Sequence, residues 1–395
     1  MLLNIVEIAK DVFRDKETII VEDLSDARVK IWYRNKRKFR KIGASDPRPF
    51  VMPKFIELDV ELAEAIGLYL GDGKTTQNDS QHLDFSSKDS DILHFMVTFF
   101  AKRLLVNLSN MTITIRYKCG EKDKILKKWS KLLSIPKDKF KITFQPRNRY
   151  ETVSIQINSS ILKKIFLKII DVSLKVIRND QNLRKGFLRG YFAAEGTIGY
   201  NSRENYINYV GFAYNPQNEG WLRNYCISCL QKEGICCSFK ERSRNRGEII
   251  ISGWNNYWNL WRIRMFDRCL RKKNNFFMIL ASRKFYCILD DCFRESFFTS
   301  LKFNQKQIAD IIKSYQGNVS RTVKGVHLLT TGQIAKLLPY TTLSLEDFVQ
   351  KTIAVKIGKA KIKDKYFIRH IFRLALYATL KTHDSLFSQE HIYQK

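Results

Sequence analysis

Between Leu58 and Gly71 apolar and small residues recur with helical spacing and few breakers, which predicts a helix running out near Gly73. A short strand is expected around Leu83–Ser87, then a helix from about Asp89 to Leu105. Three alternating stretches follow, Met111–Tyr117, Phe140–Gln145 and Val153–Asn158, and a helix at Ile161–Ile170 closes the unit. Much the same order returns after Gln181. A helix ending at Gly196 leads to a strand near Tyr209–Asn215, a helix at Gln217–Glu233, strands at Ile235–Glu241 and Glu248–Ser252, and a Trp-rich helix from Trp254. Helix, strands, helix, strands, helix twice in one chain predicts an internal duplication.

The alternation also assigns faces. In Val153–Asn158 the apolar side is Val153, Ile155 and Ile157, and the polar side is Ser154, Gln156 and Asn158. In Phe140–Gln145 the polar side is Lys141, Thr143 and Gln145, and around Cys237 it includes Ser238 and Lys240. Any half-exposed antiparallel sheet alternates in this way. The choice of Gln, Asn, Lys and Thr, with few acids, suits base edges and phosphates.

The two ends read differently. Residues 1–55 form a basic lead-in carrying the run Arg34-Asn-Lys-Arg-Lys-Phe-Arg-Lys41, either a solvated strand face or a phosphate contact, and Asp46-Pro-Arg-Pro49 marks a turn. After residue 282 the duplication stops. Asn304–Lys313 predicts a helix, Ser314–Gly317 a turn, and Asn318 an N-cap for a second short helix. The pair resembles a helix-turn-helix, with Ala309 at the packing position and Val319 ten residues later. That resemblance implies that Ser320, Arg321 and Lys324 face DNA. It departs from the family in having Lys313 where Gly is frequent, so that Gly317 is expected to serve the turn. The alternative is a helical subdomain that braces the core. Thr352–Ile368 alternates Lys with apolar residues like a basic hairpin, and a final helix is expected at Phe367–Leu380. The expected division is 1–55, 56–180, 181–282 and 283–395.

Composition narrows the partners. The chain has 395 residues, 44% of them hydrophobic, enough for several true cores. Its 69 Lys and Arg against 39 Asp and Glu give a formal charge of +30. Such a surface repels itself unless an anion is its usual partner, and nucleic acid leads because neutralised phosphates release counterions. An anionic membrane is the rival, but no long uncharged apolar run or basic amphipathic helix is found. Glu7, Lys10 and Asp11 interrupt the first residues, which argues against a signal peptide and for an intracellular protein, cytoplasmic or organellar. The eight cysteines are then expected as thiols. Cys226, Cys229, Cys236 and Cys237 hint at zinc spacing, against the simpler reading of buried thiols in a helical pattern.

The chemistry is expected at two helix ends. Ala63, Gly67 and Gly71 recur at four-residue steps in the first, and Gly186, Gly190 and Ala194 in the second. Four residues is about one turn, so each set is a stripe of bare backbone that lets two helices approach closely. Each stripe ends in an acid followed by Gly: Asp72-Gly73 and Glu195-Gly196. A carboxylate there faces the negative end of the helix dipole, and two brought together repel unless a cation neutralises them. Mg²⁺ (or Mn²⁺), with hard oxygen ligands and room for water and phosphate, is the simplest resolution.

Ala65-Ile-Gly-Leu-Tyr-Leu-Gly-Asp-Gly73 and Leu188-Arg-Gly-Tyr-Phe-Ala-Ala-Glu-Gly196 align without a gap and resemble the LAGLIDADG motif of homing endonucleases. The resemblance covers about residues 56–281. It implies an α+β fold, a duplicated αββαββα core with pseudo-twofold symmetry, followed here by a mainly helical C-terminal module. It implies motif helices at the central interface, sheets in the major groove of double-stranded DNA, and metal held by Asp72 and Glu195 with the carbonyls of Gly71 and Ala194. A basic residue often completes each half. Lys272 or Lys273 is the counterpart in the second and Lys175 the less regular one in the first, and Ser87 and Asn215 fall near the metal by the same matching. Three functions fit: a monomeric site-specific DNA endonuclease promoting spread of its own gene, a maturase acting on intron RNA, or a regulator whose cleaving core is inactive. Two intact acids favour the first over the third.

Overall fold

The computed structural model describes residues 1–25, 27–36, 46–74, 82–147, 150–201, 206–282, 285–357, 360–365 and 368–380. The chain divides into two units. One holds Met1–Thr197, Phe212–Ile249 and Ile263–Arg271; the other holds Ile198–Gly211, Ile250–Arg262 and Lys272–Lys395.

The first unit opens with β1 (Leu2–Asn4), α1 (Ile5–Phe13), β2 (Thr18–Ser25), β3 (Arg28–Arg34), β4 (Phe50–Pro53) and β5 (Phe55–Glu57). Strands β2, β3 and β4 make a small antiparallel sheet and β1 pairs with β5. Of the basic run, residues 37–41 lie outside the described residues. Next come α2 (Val60–Asp72), β6 (Leu83–Ser87), α3 (Ser90–Arg103), β7 (Met111–Tyr117), α4 (Lys122–Leu133), β8 (Phe140–Phe144), β9 (Thr152–Ile157), α5 (Ser160–Ile177) and α6 (Gln181–Glu195). The second round continues with β10 (Gly196–Asn201), β11 (Tyr206–Tyr214), α7 (Gly220–Lys232), β12 (Ser238–Ser243), β13 (Arg246–Ile251), α8 (Trp254–Arg262) and α9 (Leu270–Ser282).

Two sheets express the duplication. Their strand orders are β6-β9-β7-β8 and β10-β11-β13-β12. The run β6-β9-β7 matches β11-β13-β12 position for position, leaving β8 and the α4 before it as additions to the first half. Register fixes the faces of the first sheet. Leu83, Ile157 and Met111 form one apolar row, and Phe85, Ile155, Ile113 and Phe140 the next. These side chains are all buried, and their face supplies the core. The opposite face carries Asp84, Gln156 and Thr112, then Ser86, Ser154, Thr114 and Lys141, then Thr152, Arg116 and Thr143.

The second unit continues with β14 (Tyr286–Leu289), α10 (Asp291–Ser300), α11 (Gln305–Ile312), α12 (Gln316–Val323), β15 (Leu329–Thr330), α13 (Thr331–Leu337), α14 (Leu345–Lys351), β16 (Thr352–Ile357) and β17 (Ala360–Ile362). Its sheet runs β15-β14-β16-β17, and β16–β17 is the antiparallel hairpin expected from the Lys-apolar alternation. Phe297, Ile308, Ala309, Val319, Ile334, Ala335, Phe348 and Val355 belong to one core cluster. Beyond the hairpin, a π-helical turn at Ile368–Phe372 runs into helix through residue 380, and Phe367 lies outside the described residues.

The turn between α11 and α12 corrects the sequence reading. Helix α12 begins at Gln316 with Tyr315 as its N-cap, so Asn318 lies inside the helix, its Nδ2 3.5 Å from Ser314 Oγ. Gly317 is helical as well. Lys313 makes the turn, at φ 54°.

Candidate functional site

Helix α2 starts where Asp59 accepts a hydrogen bond from the Leu62 amide at 2.9 Å. Helix α6 starts where Asp180 accepts from Asn182 and Leu183, at 2.8 and 2.9 Å. Their closeness follows from glycine. A Cβ on Gly67 would lie 2.2 Å from the carbonyl oxygen of Phe187, and one on Gly190 would lie 2.0 Å from that of Glu64. A shift of 123 carries Gly67 to Gly190 and Glu64 to Phe187, which turns one contact into the other, and the same shift carries Asp72 to Glu195 (72 + 123 = 195). The contact is therefore reciprocal, as packing about a pseudo-twofold axis demands. Further back, a Cβ on Gly186 would lie 2.8 Å from the Val60 carbonyl oxygen.

The same approach carries through to the acids. A Cβ on Gly71 would lie 2.4 Å from Ala194 Cβ and 3.1 Å from Glu195 Cγ. Asp72 and Glu195 are the last residues of their helices, and both are half-buried. The glycines after them do not adopt left-handed geometry: Gly73 has φ −97° and Gly196 φ −68°, both extended. A side chain is excluded there for another reason. A Cβ at Gly73 would meet the Tyr69 carbonyl at 2.5 Å and its ring, and one at Gly196 would meet the Phe192 carbonyl at 2.2 Å and its ring. Each chain leaves its helix across the aromatic residue four positions back. Gly196 enters β10 directly, and Gly73 bridges to Phe85.

The helix ends suit a hard cation chemically. At each end the amide of the following glycine closes on the carbonyl four residues back, Gly73 on Tyr69 and Gly196 on Phe192, and the chain then turns into extended structure at once. The Lys74 amide donates to Asp84 O, 3.1 Å away, rather than to Leu70 of the preceding turn. Two carboxylates and nearby backbone oxygens make an all-oxygen donor set, the kind Mg²⁺ accepts with water and phosphate in its remaining positions. Among the described residues no three His, Cys, Asp or Glu side chains converge on one point.

Sequence reasoning missed an ionic group on the same helix pair. Glu64 is 3% exposed in its side chain, with Arg189 Nη2 3.1 Å from one oxygen and Arg268 Nε 2.5 Å from the other. Arg268 also lies over the Phe95 ring, 4.0 Å from its centre. A buried acid is tolerable when both oxygens are matched in this way. Next to it Arg271 holds Asp89 by two bonds, 2.7 and 2.9 Å, and the Leu270 amide donates to Asp91. The partners lie more than a hundred residues apart, so no spacing rule reveals them.

The remaining candidates are distributed. Gln156 and Lys141 sit on the polar face of the first sheet, and Gln145 lies just past β8, its amide bonded to Tyr117 O at 2.8 Å. Lys240 is exposed on β12. Lys175 is exposed in the last turn of α5. Lys272 and Lys273 lie on α9 in the second unit; Lys272 is buried, and Lys273 Nζ lies 5.7 Å from the centre of the Trp261 ring. Ser87 stands on the apolar face, buried, with its hydroxyl 3.4 Å from the Asp89 amide. Asn215 is spent in a turn, its side chain accepting from the Gln217 amide. On α12 the side chain of Arg321 is exposed and Ser320 is half-buried, and Lys324, the C-cap, is exposed. Cys226 and Cys229 are buried in α7, where burial raises both thiols, Cys229 up to about 12. Cys236 is exposed and Cys237 half-buried.

No family model matches the chain, and no curated protein matches it either. Solved structures give looser likenesses. The N-terminal LAGLIDADG domain of DUF199/WhiA is 14% identical, over 53% of this chain and 83% of that one, with a TM-score of 0.32. Mesophilic variants of the homing endonuclease I-DmoI are 13% identical over 51% and 87%, also at 0.32. Full-length DUF199/WhiA from Thermatoga maritima is 14% identical over 82% and 92%, again at 0.32.

Proposed function

We propose that this protein is a monomeric, metal-dependent endonuclease of the LAGLIDADG kind that cuts both strands of a double-stranded DNA site. The observation that carries the reading is the reciprocal glycine-to-carbonyl packing of α2 on α6, which ends with Gly71 against Ala194 and Glu195. Two acids at the meeting point of two helix C-termini are costly without a cation. Asp72 and Glu195, with the carbonyls of Gly71 and Ala194, would hold Mg²⁺ or Mn²⁺. Such an ion supplies Lewis acidity and lowers the pKa of a bound water.

The polar face of the first sheet would grip the duplex through Lys141, Gln156 and their row neighbours, and Lys240 would do so from β12. Lys272, Lys273 and Lys175 are proposed as the basic residues that steady phosphate. Residues 56–180 and 181–282 act as the two halves of the cleaving core in this reading. Residues 1–55 are an extension, and 283–395 a further DNA-binding module in which Ser320 and Arg321 of α12 and Lys324 at its C-cap face the duplex.

A second reading, duplex binding without cleavage, draws support from α11 and α12, whose Ala309 and Val319 are both buried in the core of the second unit, at the positions a helix-turn-helix would use to pack. An RNA maturase would use the same basic surfaces. Cleavage of DNA spanning the gene's insertion site separates these. Wild type is expected to make a double-strand cut in Mg²⁺ and none in chelator, while Asp72→Asn and Glu195→Gln are expected to lose at least about a hundredfold in rate. Binding without any cut by wild type would sink the endonuclease reading. Variants as active as wild type would sink the choice of acids.

A further inference from the structure

The two halves differ at one place in a way that adds charge. In the second half β12 passes to β13 through residues 244–245 alone. In the first half the matching strands β7 and β9 are separated by residues 118–151, which hold α4 and β8. Strand β8 is added at the sheet edge parallel to β7, from Ile113 opposite Phe140 to Tyr117 opposite Phe144.

The insertion is well seated. Ile125, Trp129 and Leu133 are buried one turn apart along α4, and Trp129 Nε1 donates to Glu151 at 3.0 Å. Lysines outnumber acids on its exposed surface. Residues 122–141 contain eight lysines and two aspartates. Lys124 pairs with Glu121, Lys128 with Glu151 and Lys139 with Asp138. Lys122, Lys127, Lys131, Lys137 and Lys141 are exposed, with no acidic partner among the described residues. A helix that merely faces water gains from mixed signs at three- and four-residue spacing, and like charges at that spacing destabilise it. Lys127 and Lys131 are such a pair. Lys141 and Thr143 meanwhile continue the polar rows of β7 outward, so the basic surface joins the face assigned to DNA.

We propose that the α4–β8 insertion is a second contact to the phosphate backbone of double-stranded DNA, which lengthens the footprint on the side of the first half. This rests on the proposed binding of duplex DNA. Its consequence is an asymmetric site, extended on one flank through backbone contacts that read no bases.

The test compares full-length wild type with Lys127→Gln/Lys131→Gln, and with Lys10→Gln/Lys102→Gln as a pair of equal charge change outside the insertion. Binding to a fluorescein-labelled mixed-sequence DNA duplex is followed by anisotropy across a salt series. The insertion pair is expected to lower the slope of log affinity against log salt by about 1.8, at about 0.9 per lost phosphate contact, and the control pair to leave it unchanged. It is also expected to shorten the occluded length per protein in a stoichiometric titration of long duplex. Wild-type binding with the same slope in both variants overturns the insertion's role alone. Wild type that leaves the duplex unbound overturns the proposed function, and this role with it. An unchanged slope on DNA beside a reduced one on an RNA duplex overturns the assignment to DNA.

Discussion

At the scale of single residues, the glycines of the motif helices act by absence. Gly67 and Gly190 each admit a carbonyl oxygen of the facing helix to within about 2 Å of where a Cβ would stand. Alanine at Gly67 would therefore have to push two backbones apart. Gly67→Ala is expected to cost about 3 kcal/mol despite alanine's better helix propensity, measured as a lower urea midpoint at unchanged m. A neutral effect would mean that the helices are less closely packed than described. The buried thiols give a pH signature. Burial raises Cys229 from 9.0 to about 12, so the unfolded chain releases that proton first as pH rises. Its contribution is complete below pH 9 and is lost between 9 and 12. Between pH 8 and 10 wild type should lose about 1 kcal/mol more stability than Cys229→Ala, in paired denaturation curves. Equal losses would place Cys229 in contact with solvent. Much at this scale was legible. The stripes and acids are local in sequence, so their spacing exposes them. The partners of Glu64 are not: Arg189 and Arg268 meet it through folding alone.

At the scale of elements, turns and insertions departed most from what the pattern foretells. The strand rows of the first sheet were readable because one face is buried and a period of two survives any loop between strands. The sequence pattern hides helix α4, although Ile125, Trp129 and Leu133 stand at helical spacing, because lysines dominate the segment. The parallel pairing of β8 with β7 depends on distant register. In the second unit the sequence pointed to glycine for the turn after α11, and the protein uses Lys313 at φ 54°. A left-handed conformation costs a side chain about 1–2 kcal/mol. Lys313 also stands near Lys336, whose ammonium is lowered chiefly by burial and further by that neighbouring charge. Lys313→Gly is thus expected to stabilise the protein by about 1 kcal/mol, seen as a raised denaturation midpoint; destabilisation would show that the side chain contributes packing. The same unit repeats one helix design. Asn304-Gln-Lys-Gln-Ile-Ala at the start of α11 and Thr330-Thr-Gly-Gln-Ile-Ala at the start of α13 both close capping boxes. Ser344 and Asp347 close a third at α14. Each box satisfies two amides at the helix start, which lets helices of seven or eight residues persist.

At the scale of the whole molecule, a charge of +30 makes salt the controlling variable. Affinity for any duplex should fall steeply as salt rises, and each phosphate contact removed should flatten the dependence. Arg321→Ala with Lys324→Ala is expected to reduce the slope by about 2 while leaving thermal unfolding unchanged, because both side chains are exposed, one on α12 and one at its C-cap. An unchanged slope would assign the C-terminal helices to bracing instead. No helix among the described residues is long and apolar enough to cross a membrane. The packing of α2 on α6 has a last consequence, in time rather than in energy. Gly67 and Phe187 lie 120 positions apart (187 − 67), so the interface cannot close until an entire sheet and three further helices have been made. Contacts that distant are late and slow to form, since the loop must be ordered before they repay it. During synthesis the bare backbone of α2 waits uncovered until the chain has passed Gly196, and in that interval the nascent protein is most exposed to misassembly.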